Sequence, residues 1–239
     1  MDKNNHKSLD SILLGQSFDP YDDSIGNYLA IAAAYAFAEN SIAVLSDLKE
    51  RHSHIFYGRT SEILGLEPQG TIHEVEDIWE EEILGHIPPE DLDLKQMFEM
   101  RFFEYVGKTG DQGNLVLETS LSLKGRLVRH RINYFHDGRS VRYALCLYNI
   151  CSQAVQPCIT NTLTGESVPV SVLQMDKILS TREREVLRLI DEGRSSKEIA
   201  SELGISVFTV SRHRQNIIER LHASNSTHAV RLAKQLGMI

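Results

Sequence analysis

Apolar residues recur at helical spacing in four successive segments at the C-terminal end of the chain, and short capping motifs separate these segments. Ser180 with Glu183, and Ser195 with Glu198, match the Ser-x-x-Glu capping box. In this box the hydroxyl and the carboxylate both accept hydrogen bonds from backbone N–H groups at the start of a helix. The pattern therefore predicts an all-α unit of four helices over residues 179–239.

The second and third predicted helices are joined by a very short turn. Only Gly204 and Ile205 lie between Leu203, the last apolar residue of the second helix, and Ser206, the next capping residue. A short glycine-containing turn between two helices is typical of the helix-turn-helix motif. We therefore interpret residues 207–221 as its second, recognition helix.

The predicted recognition helix has one apolar and one polar surface. Val210, Ile217 and Leu221 share a face at helical spacing and are expected to pack on the preceding helices. On the polar surface, Arg212 matches the two acceptors of guanine, and Gln215 matches adenine. Side chains suited to phosphate, which position a protein without reading sequence, lie nearby: Lys197, Thr209, His213, Arg214 and Asn216.

Strict alternation of apolar and polar residues, the signature of a half-buried strand, is clearest in the middle of the chain. Three strands in an antiparallel meander are predicted over residues 115–123, 126–135 and 141–150. Asp137-Gly138 between the last two is a strong hairpin dipeptide, because a type I′ turn needs positive φ at both central residues.

Shorter sequence patterns that predict helices and strands precede this meander. They predict a helix over 28–40, strands over 41–48 and 54–57, a short helix over 61–64, and a mostly helical stretch over 75–105 broken at Pro88-Pro89. The helix over 28–40 is rich in Ala, so it allows close approach either to a sheet or to its own copy in a dimer, and both alternatives stay open.

The net charge of −8 is unevenly distributed along the chain. From Leu179 onward ten Lys and Arg stand against seven Asp and Glu, a net of +3, whereas residues 1–178 carry −11. DNA contact is therefore expected only in the C-terminal unit. The polar start predicts no signal peptide, and the longest apolar run, 28–38, is too short to span a membrane. These features predict a cytoplasmic protein.

Residues 179–239 resemble the LuxR-type helix-turn-helix domain of bacterial transcription regulators. The residues that carry the resemblance are Arg182-Glu183-Arg184-Glu185-Val186-Leu187, Gly193, Lys197-Glu198-Ile199-Ala200, Leu203, Ile205-Ser206, Thr209-Val210, His213-Arg214, Asn216-Ile217, Leu221, Asn225, Ala229-Val230 and Gly237-Met238-Ile239. Region four of a sigma factor is a rival, but no N-terminal segment resembles a promoter-melting region.

The resemblance implies that the third helix enters the major groove, with Ser211, Arg212 and Gln215 at base-reading positions. It also implies a dimer contact through the final helix. One face of that helix is the predicted dimer seam, although the same face is equally able to close the helical bundle: Ala229, Val230, Ala233 and Leu236.

Residues 41–150 resemble a PAS sensor domain in their order of two strands, short helices and three strands. Phe56-Tyr57-Gly58 leading into Ser61-Glu62-Ile63-Leu64-Gly65, and the later Pro88-Pro89-Glu90-Asp91, carry the resemblance. It implies a small ligand or a protein partner held between sheet and helices. A receiver domain is disfavoured, because its parallel alternation of strands and helices is missing.

Other polar clusters give no assignment of catalytic residues, metal ligands or cofactors. His52 and His54 beside Glu50 are explained as well by a charged hairpin turn as by a metal site. The acidic residues between positions 74 and 82 suit a solvated helix start. Cys151 and Cys158 have no neighbouring cation that would lower a thiol pKa.

Taken together, the sequence predicts an α+β chain with a PAS-like antiparallel sheet and helices, followed by an all-α helix-turn-helix domain. The predicted parts are an N-terminal helical extension (1–40), a sensor (41–150), a linker (151–178) with a helical end, and a DNA-binding domain (179–239). The expected function is a non-enzymatic, dimeric transcription regulator that binds a palindromic operator, with double-stranded DNA and RNA polymerase as partners. The alternative is a protein-binding signalling adaptor.

Overall fold

The computed structural model describes residues 7–18, 25–109, 114–137, 140–170, 179–221, 223–236 and 238–239. The chain divides into two compact units, residues 1–170 and 171–239. The division falls inside the predicted linker.

The first unit is built on an antiparallel sheet of eight strands. Their bounds are β1 Ile42–Asp47, β2 His52–Tyr57, β3 Ile72–Val75, β4 Leu115–Leu123, β5 Arg126–Asp137, β6 Ser140–Ile150, β7 Cys158–Asn161 and β8 Ser167–Pro169. They lie in the order β3-β2-β1-β6-β5-β4-β7-β8. The central pairing of β1 with β6 joins the N-terminal hairpin to the later strands.

The predicted three-strand meander is confirmed, since β4 pairs with β5 and β5 pairs with β6. The turn between β4 and β5 has positive φ at both central residues, 49° at Lys124 and 74° at Gly125, as a type I′ turn requires. Gly138, of the predicted Asp137-Gly138 turn, lies outside the described residues, but Asp137 and Ser140 are paired across it.

The linker prediction is wrong for the residues up to 170. β7 pairs with the outer edge of β4, and β8 pairs with β7, so this segment extends the sheet. Strands of four and three residues are too short to display a period of two, which is why their sequence reads as irregular. The predicted helical end over 172–178 lies outside the described residues.

Five helices are described in the first unit: α1 Lys7–Leu13, α2 Ile25–Ala38, α3 Arg59–Leu64, α4 Glu81–Leu84 and α5 Pro89–Thr109. Ala32 and Ala36 of α2 are buried on one face of the sheet, against Ala43, Leu45 and Phe56. The helix predicted over 28–40 therefore packs on the sheet and is part of this unit. Strand β3, which ends where the predicted helical stretch over 75–105 begins, was not predicted.

The second unit contains four described helices: α6 Thr181–Asp191, α7 Ser196–Leu203, α8 Val207–Arg220 and α9 Ser226–Gln235. The two predicted capping boxes are present at the starts of α6 and α7. The core of the bundle consists of buried side chains from all four helices: Val186, Leu187, Ile199, Val210, Ile217, Ala229, Leu232 and Ala233. Among the described helices of the whole chain, none is long and apolar enough to cross a membrane.

Candidate functional site

The start of helix α8 is fixed by the turn that precedes it. Gly204 has φ 65° and ends α7 in the left-handed conformation, which glycine adopts without the steric cost of a Cβ. Ile205 then donates its backbone N–H to the carbonyl of Ala200 at 3.0 Å. The Ser206 side chain accepts a hydrogen bond from the backbone N–H of Thr209, so the capping residue is the one that the sequence predicts.

The three predicted base-reading side chains, Ser211, Arg212 and Gln215, all lie exposed on α8. The buried residues Val210 and Ile217 hold the opposite face of the helix in the bundle. Gln215 donates to the Glu219 carboxylate at 2.9 Å. This bond fixes the amide on the exposed surface. The three side chains therefore lie on the surface of α8 that points away from the bundle, and their contact with bases stays a prediction.

The predicted phosphate-contacting side chains have mixed surroundings. Lys197 is exposed in the first turn of α7, whereas Thr209, His213 and Asn216 are only partly exposed. The Thr209 hydroxyl shares a 2.8 Å hydrogen bond with the hydroxyl of Ser206, so it helps to build the cap. Lys197 is therefore the most accessible of these side chains.

Arg214 has a structural role that the sequence did not indicate. Its Nε donates to the Ser226 hydroxyl at 3.2 Å, and its terminal nitrogen donates to the Ser196 hydroxyl at 3.0 Å. Since Ser196 begins α7 and Ser226 begins α9, this guanidinium ties the starts of two helices to the middle of α8. It positions helix α8 in the bundle.

Glu183 holds the C-terminal end of α8. Its buried carboxylate accepts hydrogen bonds from the Ser180 backbone N–H and hydroxyl, each at 2.8 Å, and from Arg220 at 2.7 Å. The capping box of α6 thus also anchors the last turn of α8. Hydrogen bonds that involve charged groups are stronger than neutral ones, so this anchor stiffens the helix that carries the polar surface.

Sequence reasoning missed two apolar residues at the N-terminal end of α8. Val207 is 43% exposed and Phe208 is 80% exposed. A large apolar side chain in this position contacts no core, but the major groove offers it the methyl group of thymine. The available signal was that both residues follow the cap directly and that Phe208 lies outside the face defined by Val210 and Ile217.

Two of the four residues of the predicted dimer seam are buried inside the bundle. Ala229 and Ala233 are fully buried within the second unit itself, because α9 packs on α6 and α8. This face closes the bundle, as the alternative interpretation held. Val230 and Leu236 are partly exposed, and for them a dimer contact stays a prediction.

A second candidate site lies inside the first unit, on the sheet face opposite α2. Lys95 and Glu99 of α5 form a buried ion pair at 2.7 Å, and the Tyr148 hydroxyl donates to the Glu80 carboxylate at 2.5 Å. The ring of His130 lies 4.7 Å from that of Tyr148. Buried charged groups are rare unless they are paired or functional, so this cluster is a candidate for recognition of a polar ligand.

The buried cluster shifts the pKa values of His130 and Lys95. Burial, together with the charge of Lys95, lowers the pKa of His130 well below its ordinary value. Burial alone would lower the pKa of Lys95, but the carboxylates of Glu99 and Glu80 raise it instead. His130 is therefore neutral, and its Nε2 is buried without a hydrogen-bond partner among the described residues.

Comparison with known proteins identifies the second unit. Residues 177–233 match the family of bacterial regulatory proteins of the luxR type, whose model is named GerE. The transcriptional activator protein EsaR of Pantoea stewartii is 42% identical over 76 residues, which cover 31% of this chain and 30% of EsaR. The quorum-sensing regulator RhlR of Pseudomonas aeruginosa is 41% identical over 81 residues, which cover 34% of this chain and 33% of RhlR.

The chain thus spans about a third of the length of these curated relatives. A solved structure of a phage VqmA–DPO complex aligns with 89% of this chain and 90% of its own, at 16% identity and a TM-score of 0.29. So distant a likeness says nothing about a ligand. Residues 177–233 belong to the LuxR-type helix-turn-helix family.

Proposed function

We propose that this chain is a transcription regulator that reads a DNA operator through the exposed surface of α8. The observation that carries the proposal is the placement of Arg212 and Gln215. Both are exposed on a helix whose opposite face is buried, whose middle is held by Arg214 and whose last turn is held by Glu183. A rigid helix with planar hydrogen-bonding side chains toward solvent fits the major groove, where each base pair presents a distinct pattern of donors and acceptors.

We further propose that the regulator acts as a homodimer on a palindromic operator, with RNA polymerase as an additional partner. Two copies of α8 then meet half-sites about one helical turn, roughly 34 Å, apart. The outward face of α2 supports self-association, because Ile31 and Phe37 are 40% and 79% exposed and the helix Ile25–Ala38 carries no charged residue. Exposed apolar surface of this kind is typical of interaction sites.

Phe208 provides a direct test of where α8 lies. If its ring contacts a thymine methyl, replacing that thymine by uracil removes one buried methyl group, worth about 0.8 kcal/mol or about fourfold in affinity. The Phe208→Ala variant should show the same loss on the thymine operator and no further loss on the uracil operator. Fluorescence anisotropy with both duplexes and both proteins measures this coupling.

Val207→Ala is the matched control, since it removes apolar surface from the neighbouring, less exposed residue. The uracil replacement and Phe208→Ala can be compared at every thymine of the operator. If their losses of affinity are independent at each of these positions, the Phe208 ring does not contact a thymine methyl. The sequence preference of the complex would then arise elsewhere on α8.

The first unit is proposed to be a PAS-like sensor of a small ligand or partner. Two features support this: the order of the β1–β2 hairpin, helices and the β4–β5–β6 meander, and the buried polar cluster around Lys95 and His130. Because the orphaned Nε2 of His130 lacks a partner, a ligand that donates a hydrogen bond or supplies a polar edge would stabilise the interior.

His130→Phe should abolish retention of such a ligand, because the ring volume stays similar while the polar edge is removed. Native mass spectrometry of the freshly purified full chain measures the retained mass. His86→Phe is the control, since His86 is exposed and should keep the ligand. A retained mass that is identical in wild type and both variants would place the ligand outside this cluster.

A further inference from the structure

Three side chains that sequence reasoning left unassigned converge at one edge of the sheet. His52 and His54 are two positions apart on β2, so they project from the same face of the strand. Strand β3 lies at the end of the described sheet order, and its Glu74 is the direct cross-strand partner of His54. The antiparallel register therefore brings two imidazoles and a carboxylate together from positions twenty residues apart.

The polar atoms of these three side chains are too far apart to form hydrogen bonds with one another, as is typical of separate ligands of a metal ion. His52 Nε2 lies 3.9 Å from one carboxylate oxygen of Glu74, and His54 Nδ1 lies 3.7 Å from the other. The two imidazole rings stack with centroids 4.8 Å apart. One donor atom from each residue lies within 4.8 Å of the other two. These separations exceed the length of a hydrogen bond.

A zinc ion with bonds of 2.0–2.1 Å in tetrahedral geometry holds its ligand atoms about 3.4 Å apart. The cluster needs only a small contraction to reach that value. The Glu74 side chain is 66% exposed, so it has room to rotate toward the imidazoles. The stacked histidines are already aligned on the rigid strand.

The nitrogen of His52 gives an independent reason to expect a ligand. Its Nε2 atom is shielded from solvent and has no hydrogen-bond partner among the described residues, although the rest of the side chain is 33% exposed. A buried polar atom without a partner costs free energy. A metal ion between His52 and Glu74 would satisfy this lone pair.

We propose that His52 Nε2, His54 Nδ1 and the Glu74 carboxylate bind a divalent first-row transition-metal ion of the Zn²⁺ type, with water in the remaining position. Two imidazoles and one carboxylate favour such ions over Mg²⁺ and Ca²⁺, which prefer all-oxygen sites. The ion links the edge strand β3 to β2. Because it binds the folded chain, it stabilises the first unit by mass action.

The test uses the full-length chain, freed of metal with a chelator and dialysed. Titration calorimetry with ZnCl₂ should give one site per chain, and Co²⁺ should give the visible absorption of a low-coordinate nitrogen and oxygen site. Glu74→Gln and His54→Gln should each weaken zinc affinity more than about 100-fold, since loss of a group that merely orients a ligand already costs 10–100-fold. Zinc should raise the melting temperature of wild type and leave that of Glu74→Gln unchanged.

His73→Gln is the matched control. His73 lies next to Glu74 on β3 and pairs with Glu82 at 2.7 Å, so this variant removes an imidazole and a carboxylate contact from the same strand without altering the cluster. It should bind zinc like wild type. Glu74→Gln changes an exposed side chain, so a folded variant is available even if His54→Gln unfolds. Absence of zinc binding by wild type, or equal affinity of wild type and Glu74→Gln, would overturn the proposal.

Discussion

Arg142→Ala should lower the free energy of unfolding of the first unit by about 3–5 kcal/mol, because it leaves the Asp47 carboxylate buried without its partner. The two side chains are only 4% and 2% exposed. Two nitrogens of the guanidinium donate to the two carboxylate oxygens, one of them at 2.8 Å. This pair joins β6 to β1, the central contact of the sheet. Loss of this ion pair therefore destabilises the whole first unit.

Urea denaturation followed by the fluorescence of Trp79, the single tryptophan of the chain, measures this effect. Arg129→Ala is the control, because Arg129 pairs with Glu118 at 3.1 Å but is 47% exposed. Exposed pairs contribute about 0–1 kcal/mol, so this variant should unfold close to the wild-type midpoint. Equal shifts of the unfolding midpoint in both variants would mean that the burial of the Arg142–Asp47 pair does not determine its contribution to stability.

Arg212→Ala should weaken binding to the preferred operator by about 1–3 kcal/mol and relax the preference at a single base pair. The reason is that a bidentate arginine–guanine contact discriminates against every other base. Binding to random duplex should change much less. Anisotropy titrations on the selected operator, on its single-base variants and on random DNA give the three affinities.

Lys197→Ala is the contrasting variant. Lys197 is exposed at the start of α7 and is predicted to contact phosphate, so its loss should weaken binding to all sequences alike. It should also reduce the slope of log affinity against log salt concentration by about 0.9. If both variants lose the same affinity on operator and random DNA, α8 does not present Arg212 to a base.

The helix-turn-helix was predictable because its determinants are local. Ser180 with Glu183, and Ser195 with Glu198, form the predicted capping boxes, since the interacting residues are three positions apart. The same holds for the hairpin turn at Lys124. In each case the residues that specify the structure are also neighbours in the chain.

The features that escaped prediction depend on contacts between distant residues. Glu74 joins His54 only through the register of β2 with β3, and β7 becomes a strand only because β4 offers it an unpaired edge. Ala229 and Ala233 mark an apolar helix face, but a pattern of spacing does not specify whether that face meets its own bundle or a second copy. Both alanines are buried in the folded second unit, so at these two positions the face meets its own bundle.

The central claim is that the exposed surface of α8 reads the major groove, and methylation interference on the selected operator tests it most directly. Dimethyl sulfate modifies guanine at N7, which faces the major groove, and adenine at N3, which faces the minor groove. Methylation of one guanine per half-site should block binding of the wild-type chain and have little effect on Arg212→Ala. Interference confined to adenine N3, with every guanine N7 tolerated, would contradict the account.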